Sequence, residues 1–188
     1  MKIEKEIEFK TEITETEYNV LINKFNLNEK IYKLTTYYFE TIDKFFYKNN
    51  KTVRIRETDN SFTLTLKSKT PYGSLEKHIC LDSHSVLNMI LYGFNLKNYF
   101  NIDKDVYPHG KLTTYRSSIP YNNGILFFDK FVYYGITNYE IEFEALNYDE
   151  GLKNFNEFLN SEQIAFIPTI KKSRKVFEYI EKKSPSKL

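Results

Sequence analysis

Cysteine is almost missing. Cys80 is the single one in 188 residues, so neither an intramolecular disulfide nor a cysteine-rich zinc site can form. Tryptophan is absent, and 6 glycines and 5 prolines amount to about half of ordinary usage, which excludes a collagen-like, linker-rich or disordered chain. No stretch approaches the ~18 consecutive apolar residues of a spanning helix, and no apolar h-region follows Met1. The expected location is therefore the cytoplasm, with no membrane partner. Neither sign of charge dominates: 27 basic residues face 25 acidic ones, a net charge of +2, so no general electrostatic pull on nucleic acid exists and none is expected as a partner. Arginine is the scarce cation. Only Arg54, Arg56, Arg116 and Arg174 occur among the 27 bases, and a planar five-donor fork used so sparingly suggests a task such as bidentate binding of phosphate or carboxylate.

What is abundant is aromatic and apolar: 16 Tyr, 16 Phe and a hydrophobic fraction of 41%, enough for one continuous core. A single domain over residues 1–181 is expected, with a charged, frayed tail over 182–188 and a monomer or homodimer as the assembly. The first ten residues alternate strictly, with Ile3, Lys5, Ile7 and Phe9 on one face and Glu4, Glu6, Glu8 and Lys10 on the other, the period of a strand. Thr14 and Glu17 form a capping box for a helix carrying Tyr18, Leu21, Ile22 and Phe25. Further strands are predicted over 34–40, 52–57, 62–69, 75–80, 111–117, 124–130 and 138–145. Helices are predicted after Asp82 or Ser83, from Asp149 with Leu152, Phe155 and Leu159 as its stripe, and over about 172–181.

Eight strands with short connections are mostly antiparallel, and several are charged on one face and apolar on the other. Either the polar faces look out to water from an open sheet, or they look into the lumen of a barrel covered outside by the helices; the apolar stripes of the helices must bury somewhere, and packing them on the apolar sheet face leaves the charged face as a second, enclosed or semi-enclosed surface. The expected fold is α+β, about eight mostly antiparallel strands with helices packed on the apolar face, and the resemblance described below implies that they close into an eight-stranded antiparallel β-barrel or tunnel.

The charges are segregated in a way a solvated surface would not favour. Glu4, Glu6 and Glu8 lie ~7 Å apart on one face, a repulsion of roughly 2 kcal/mol per neighbouring pair at an effective dielectric of 20. The acidic alternation returns at Glu140, Glu142 and Glu144, while Arg54 with Arg56 and Lys67 with Lys69 are same-face cation pairs. Carboxylates suit a hard divalent cation, and guanidinium and ammonium groups suit a polyanion. Together they suit a chain of phosphates polarised by Mg²⁺ or Mn²⁺.

Glu6-Ile7-Glu8-Phe9-Lys10 resembles the E-x-E-x-K signature of the CYTH domain, the triphosphate tunnel metalloenzyme superfamily. Residues 38–41 (YFET) resemble a Y-F-D-T segment, and Arg54-Ile55-Arg56, the strand ending at Lys67, Arg116, Leu126 to Asp129 and Glu140-Ile141-Glu142 follow in the family's order. The likeness is to the short single-domain bacterial branch. It implies an eight-stranded tunnel that hydrolyses triphosphate compounds or, in a few members, cyclises ATP. By the same resemblance Glu6, Glu8, Asp129, Glu140 and Glu142 would hold metal. Lys10, Arg54, Arg56, Lys67 and Arg116 would grip phosphate, joined by Lys172 or Arg174 where the last helix begins; Lys69, on the same face as Lys67, is a further phosphate candidate, and Glu8, Lys10 and Lys67 are the candidate catalytic groups. Glu40 stands where relatives often have Asp, and Glu76-Lys77-His78 lacks the second carboxylate of some members.

Other readings remain open. His78 shares the charged face and could titrate near neutrality, His84 and His109 read as surface or loop residues, and Cys80 reads as a small buried apolar group. The expected partner is a triphosphate-containing small molecule or polyphosphate. The alternatives to hydrolysis are a module that binds polyphosphate or a nucleotide without turnover, and an adenylate cyclase.

Overall fold

The computed structural model describes residues 1–59 and 61–183. The alternating segments become strands β1 (Lys2–Ile13), β2 (Tyr32–Glu40), β3 (Lys51–Thr58), β4 (Ser61–Thr70), β5 (Gly73–Leu81), β7 (Asp105–Tyr121), β8 (Gly124–Tyr133) and β9 (Ile136–Ala145); β6 (Phe94–Asn95) is a two-residue addition to β7. The order β2-β3-β4-β5-β1-β9-β8-β7 closes by a β2–β7 pairing, and every neighbouring pair is antiparallel. The result is a closed eight-stranded antiparallel barrel in an α+β fold, the arrangement that the family resemblance implies, and not the open sheet that the alternation also allows. Closure leaves the eight strands without a free edge, and the period of two sends one face of each strand into the lumen.

The described residues also form six α-helices, α1 (Glu15–Lys24), α2 (Phe45–Lys48), α3 (Ser83–Tyr92), α4 (Lys97–Phe100), α5 (Tyr148–Ser161) and α6 (Lys172–Lys183), and one 3-10 turn at Asn28–Lys30. The predicted capping box starts α1, with Thr14 Oγ1 accepting from the Glu17 amide at 3.2 Å and Glu17 accepting from the Thr14 amide at 2.7 Å. Asp82 caps α3 and Asn147 caps α5. On α5 the buried stripe is Phe155, Phe158 and Leu159; Leu152 is exposed, because Gly151 is the residue that faces β1 at that level and lies against Phe9.

Two apolar clusters cover the outside of the barrel. One joins α1 and α5 to Leu126, Phe128, Ile141 and Phe143 of β8 and β9. The other joins α3 and α4 to Phe39, Val53, Ile55 and Leu64 of β2, β3 and β4. Helix α6 packs differently. Its Val176 and Phe177 meet Tyr38, Leu112 and Phe131, whose side chains lie on the lumen faces of their strands, so α6 plugs one end of the barrel. The segment before it is tied along β1, where the Ile167 amide donates to Thr11 Oγ1 at 2.8 Å and the Glu12 amide to the Ile167 carbonyl at 3.1 Å. Room for the plug comes from a bulge. Tyr38 faces two residues of β7, His109 and Gly110, and Gly110 has φ +133°. A Cβ on Gly110 would lie 2.5 Å from Val176 Cγ1.

The structure corrects several boundaries. β7 runs 17 residues through Pro108 rather than beginning at 111: Pro108 stands opposite Phe39, next to the bulge at His109 and Gly110. α6 takes in Lys182 and Lys183 of the expected frayed tail; residues 184–188 lie outside the described residues. Cys80 is exposed rather than buried, because β1 pairs with β5 only as far as His78 and leaves the end of β5 uncovered. His109 is not a free surface group: its ring stands edge-on to Phe177 at 4.6 Å.

Candidate active site

The lumen holds a cavity of about 250 Å³, closed at one end by α6. Strand register fixes what lines it. On adjacent strands Lys10 stands opposite Glu142, Glu8 opposite Glu144 and Lys67 opposite Glu76, while Arg116, Asp129 and Glu140 form one row across β7, β8 and β9. Lys10 with Glu142, Lys67 with Glu76 and Arg116 with Asp129 are opposite charges across neighbouring strands, which offsets part of the repulsion expected for β1 taken alone, whereas Glu8 with Glu144 and Asp129 with Glu140 remain like-charge pairs.

Two ionic clusters result. Lys67 pairs with Glu6, with Glu8 at 3.4 Å and with Glu76 at 2.7 Å, and Arg54 donates to Glu76 at 3.1 Å. Ser74 Oγ donates to Glu6 at 3.0 Å. In the second cluster Arg116 grips Asp129 through two bonds of 2.7 and 2.6 Å and also meets Glu142. Lys172, from the first turn of α6, contacts Asp129 at 2.8 Å, Glu142 at 2.7 Å and Glu140. Lys10 bridges the clusters through Glu8 and Glu142, the latter at 3.5 Å.

Protonation follows from these contacts. Burial pushes the Glu142 carboxyl up, but Lys172, Arg116 and Lys10 outweigh it and hold it well below the usual carboxylate range. Glu76 is treated similarly by Arg54 and Lys67, and ends at about 2. Burial dominates at Glu140, raising it to about 8 despite Lys172, and at Glu144, raised to about 7 with help from Glu6. Among cations the telling one is Arg56. The neighbouring Arg54 and burial depress its pKa to about 10, and its buried Nε has no hydrogen-bond partner among the described residues.

Three carboxylates, Asp129, Glu140 and Glu142, bring oxygens within 4.8 Å of one another and are all buried. Glu140 Oε2 is buried without a hydrogen bond. An all-oxygen, anionic donor set with an unused buried acceptor fits a hard divalent cation.

The tunnel therefore brings together Glu6, Glu8, Lys10, Arg54, Arg56, Lys67, Lys69, Arg116, Glu142 and Lys172, with Asp129 and Glu140 behind Lys172. Arg174 is not among them: further along α6 than Lys172, it turns out of the barrel and lies over the Tyr47 ring at 4.9 Å. Glu40 points away as well. Its carboxylate accepts from the amides of Thr41, Phe46 and Tyr47 at 2.8, 3.0 and 2.7 Å, capping α2. His78 meets Thr65 at 3.0 Å, Glu4 at 3.3 Å and Glu76 at 3.5 Å near one rim. Lys171 and Glu144 also line the cavity, and neither is among the site residues expected from the sequence. Glu144 is signalled as the third member of the Glu140-Glu142 alternation; Lys171 carries no signal that separates it from 22 other lysines.

The model of the CYTH domain matches residues 4–177. The chain belongs to the CYTH domain family. A Bacillus subtilis protein named "Putative triphosphatase YjbK" is 30% identical over 99% of this chain and 100% of its own length. A crystal structure of a "putative adenylate cyclase" from Bacillus halodurans matches 94% of this chain and all of that one, at 30% identity and a TM-score of 0.85. A Hippeastrum neighbour, called a "putative adenylyl cyclase" with a dominant triphosphatase activity, covers 93% and 95% at 19% identity and a TM-score of 0.74; at that identity the likeness supports the shared barrel. No helix among the described residues is long and apolar enough to cross a membrane.

Proposed function

We propose that this CYTH protein is a divalent-metal-dependent triphosphatase whose substrate is a linear triphosphate, free or carried by an organic group, hydrolysed inside the tunnel. The observation that carries the reading is Arg56: a half-buried arginine whose buried Nε has no hydrogen bond and whose guanidinium has no carboxylate partner among the described residues, beside Arg54, in a cavity whose other wall is acidic. Leaving such a group unpaired is costly unless an anion completes it. The names of YjbK and of the Hippeastrum protein point the same way.

Arg54, Arg56, Lys67, Lys69 and Arg116 would receive the phosphate oxygens, the arginines through paired N–H groups. Asp129, Glu140 and Glu142, with Glu6 and Glu8 on the adjoining strand, would hold Mg²⁺ or Mn²⁺. When bound, the metal supplies charge neutralisation at phosphate oxygens and a more acidic water. Lys10 and Lys67 stay charged because the attraction of Glu8 and its neighbours overcomes their burial. They can therefore offset the charge that grows on the bridging oxygen as the P–O bond breaks. Glu8 aims both ammonium groups.

Phosphate release from inorganic triphosphate, thiamine triphosphate, ATP and GTP, each with Mg²⁺ or Mn²⁺, tests the reading. Turnover of at least one, lost in EDTA and reduced at least ~100-fold in Glu8→Gln, is the expected outcome. No phosphate from any of the four, or undiminished turnover in EDTA, would contradict it.

A further inference from the structure

His78 has no part in the reaction above, yet it touches a group that has. It lies on the lumen face of β5, two residues from Glu76, with its side chain 20% exposed. Nδ1 is 3.0 Å from Thr65 Oγ1 on β4, and Nε2 is 3.5 Å from Glu76 Oε2 and 3.3 Å from Glu4 Oε2 on β1. A carboxylate only accepts, so Nε2 carries the hydrogen and Nδ1 of the neutral ring accepts from the Thr65 hydroxyl. That hydroxyl can turn and accept instead. The ring can therefore gain a second proton, on Nδ1, with every heavy atom in place.

The carboxylate oxygen it faces is already in use. Glu76 Oε2 accepts from Arg54 Nη2 at 3.1 Å, while Arg54 Nε is buried without a hydrogen bond among the described residues. Positive charge on His78 offsets Glu76 and loosens its hold on Arg54; a neutral ring leaves that hold intact. The charged groups facing the ring are Glu76 on its own strand, Glu4 and Lys2 on β1, and Arg54 on β3; β4 presents the Thr65 hydroxyl. Burial lowers the imidazole pKa, and Arg54 and Lys2 add to the lowering against Glu76 and Glu4, so the ring is mostly neutral in the free protein at neutral pH.

We propose that His78 is a positioning residue that governs the hold of Glu76 on Arg54, and that it takes up a proton from solvent when a triphosphate draws Arg54 toward its phosphates. The inference rests on the triphosphate reading of the tunnel and adds a pH dependence to substrate capture. His78 acts through Glu76 and does not itself contact phosphate. Proton uptake on binding means that His78 titrates at higher pH in the complex than in the free protein. The gain in affinity is then fully present below the free value and is lost as pH rises through the bound one.

Proton NMR follows the ring protons of the three histidines with and without tripolyphosphate, with Ca²⁺ in place of Mg²⁺, and needs the wild-type chain alone. Tripolyphosphate should move the His78 titration to higher pH and leave that of His84, exposed on α3, where it was. Isothermal titration then gives the ratio of tripolyphosphate affinity at pH 6 to that at pH 8, which should be about fivefold larger in wild type than in His78→Gln. Glutamine keeps a donor for Glu76 and an acceptor for Thr65 but does not titrate, and protonation of the ligand cancels between the two proteins. In a Glu76→Gln background the same substitution should change the ratio by less than about twofold. A His78 titration unmoved by ligand, a His84 titration that moves as far, equal ratios in wild type and His78→Gln, or the full effect retained beside Glu76→Gln would overturn the proposal. Absence of any tripolyphosphate binding would overturn the tunnel reading as well, whereas bound tripolyphosphate with an unmoved His78 overturns the positioning role alone.

Discussion

Glu76 is 3% exposed and holds Arg54 and Lys67 at once, at 3.1 and 2.7 Å. Its pKa falls from 4.5 to about 2 because the attraction of these two cations exceeds the cost of burial. A carboxyl depressed on folding contributes stability that is fully present above its unfolded value and is lost as pH falls through the folded one. Urea unfolding between pH 5 and pH 3 should therefore show a decline in stability that is smaller in Glu76→Gln than in wild type by on the order of 2 kcal/mol. A Glu76→Gln curve parallel to wild type would remove Glu76 from the acid response. The sequence hides the role of this residue, since Glu76-Lys77-His78 reads only as an incomplete acidic pair. Its partners come from β3 and β4, and only the cross-strand register names them. The arginines are more legible, because scarcity alone marks them out. Arg174 misleads for the same reason: rarity indicates a task, not which cavity it serves.

At the scale of elements, strict alternation makes β1, β4 and β9 readable, since a charged face and an apolar face leave one periodicity open. The sequence shortens β7 because Pro108 and Gly110 signal a break, and only the pairing with β2 turns that break into a bulge. Helix α6 is placed by its apolar spacing, but the spacing does not distinguish packing on a barrel from plugging its mouth. The contact at Gly110 does, and it can be tested. Gly110→Ala adds a Cβ 2.5 Å from Val176 Cγ1 and 3.1 Å from Ile180 Cδ1 at a positive φ. Overpacking of this kind costs about 1–3 kcal/mol. The variant should lower Tm and, by hydrogen exchange, deprotect α6 amides before those of α5. Unchanged protection across α6 would mean that the plug does not depend on this bulge. Truncation at Phe177, 4% exposed between Tyr38 and Tyr47, should cost about 3–5 kcal/mol as Phe177→Ala, measured by the same urea unfolding.

At the scale of the whole molecule, closure converts eight amphipathic strands into one apolar exterior under helices and one charged interior. The crowding of like charges in the sequence argues for enclosure; that the acidic strands β1 and β9 lie side by side, with Lys67 and Arg54 reaching β1 and β5 from one side and Arg116 reaching β8 and β9 from the other, follows only from the strand order and the ion pairs. The interior is unbalanced at Arg56, which is repelled by Arg54 and Arg116 in the free protein. A group retained at a cost to the free fold is expected where binding needs it. Thermal unfolding with tripolyphosphate and Ca²⁺, compared with neither present, tests this most directly. Wild type should be stabilised by about 2.7 kcal/mol at a ligand concentration a hundredfold above Kd. Arg56→Gln should melt no lower than wild type when free and lose the ligand-induced shift, and Glu142→Gln should lose the shift as well. A wild-type protein indifferent to ligand, or a shift that persists in both variants, would contradict a joint metal and triphosphate site in the tunnel.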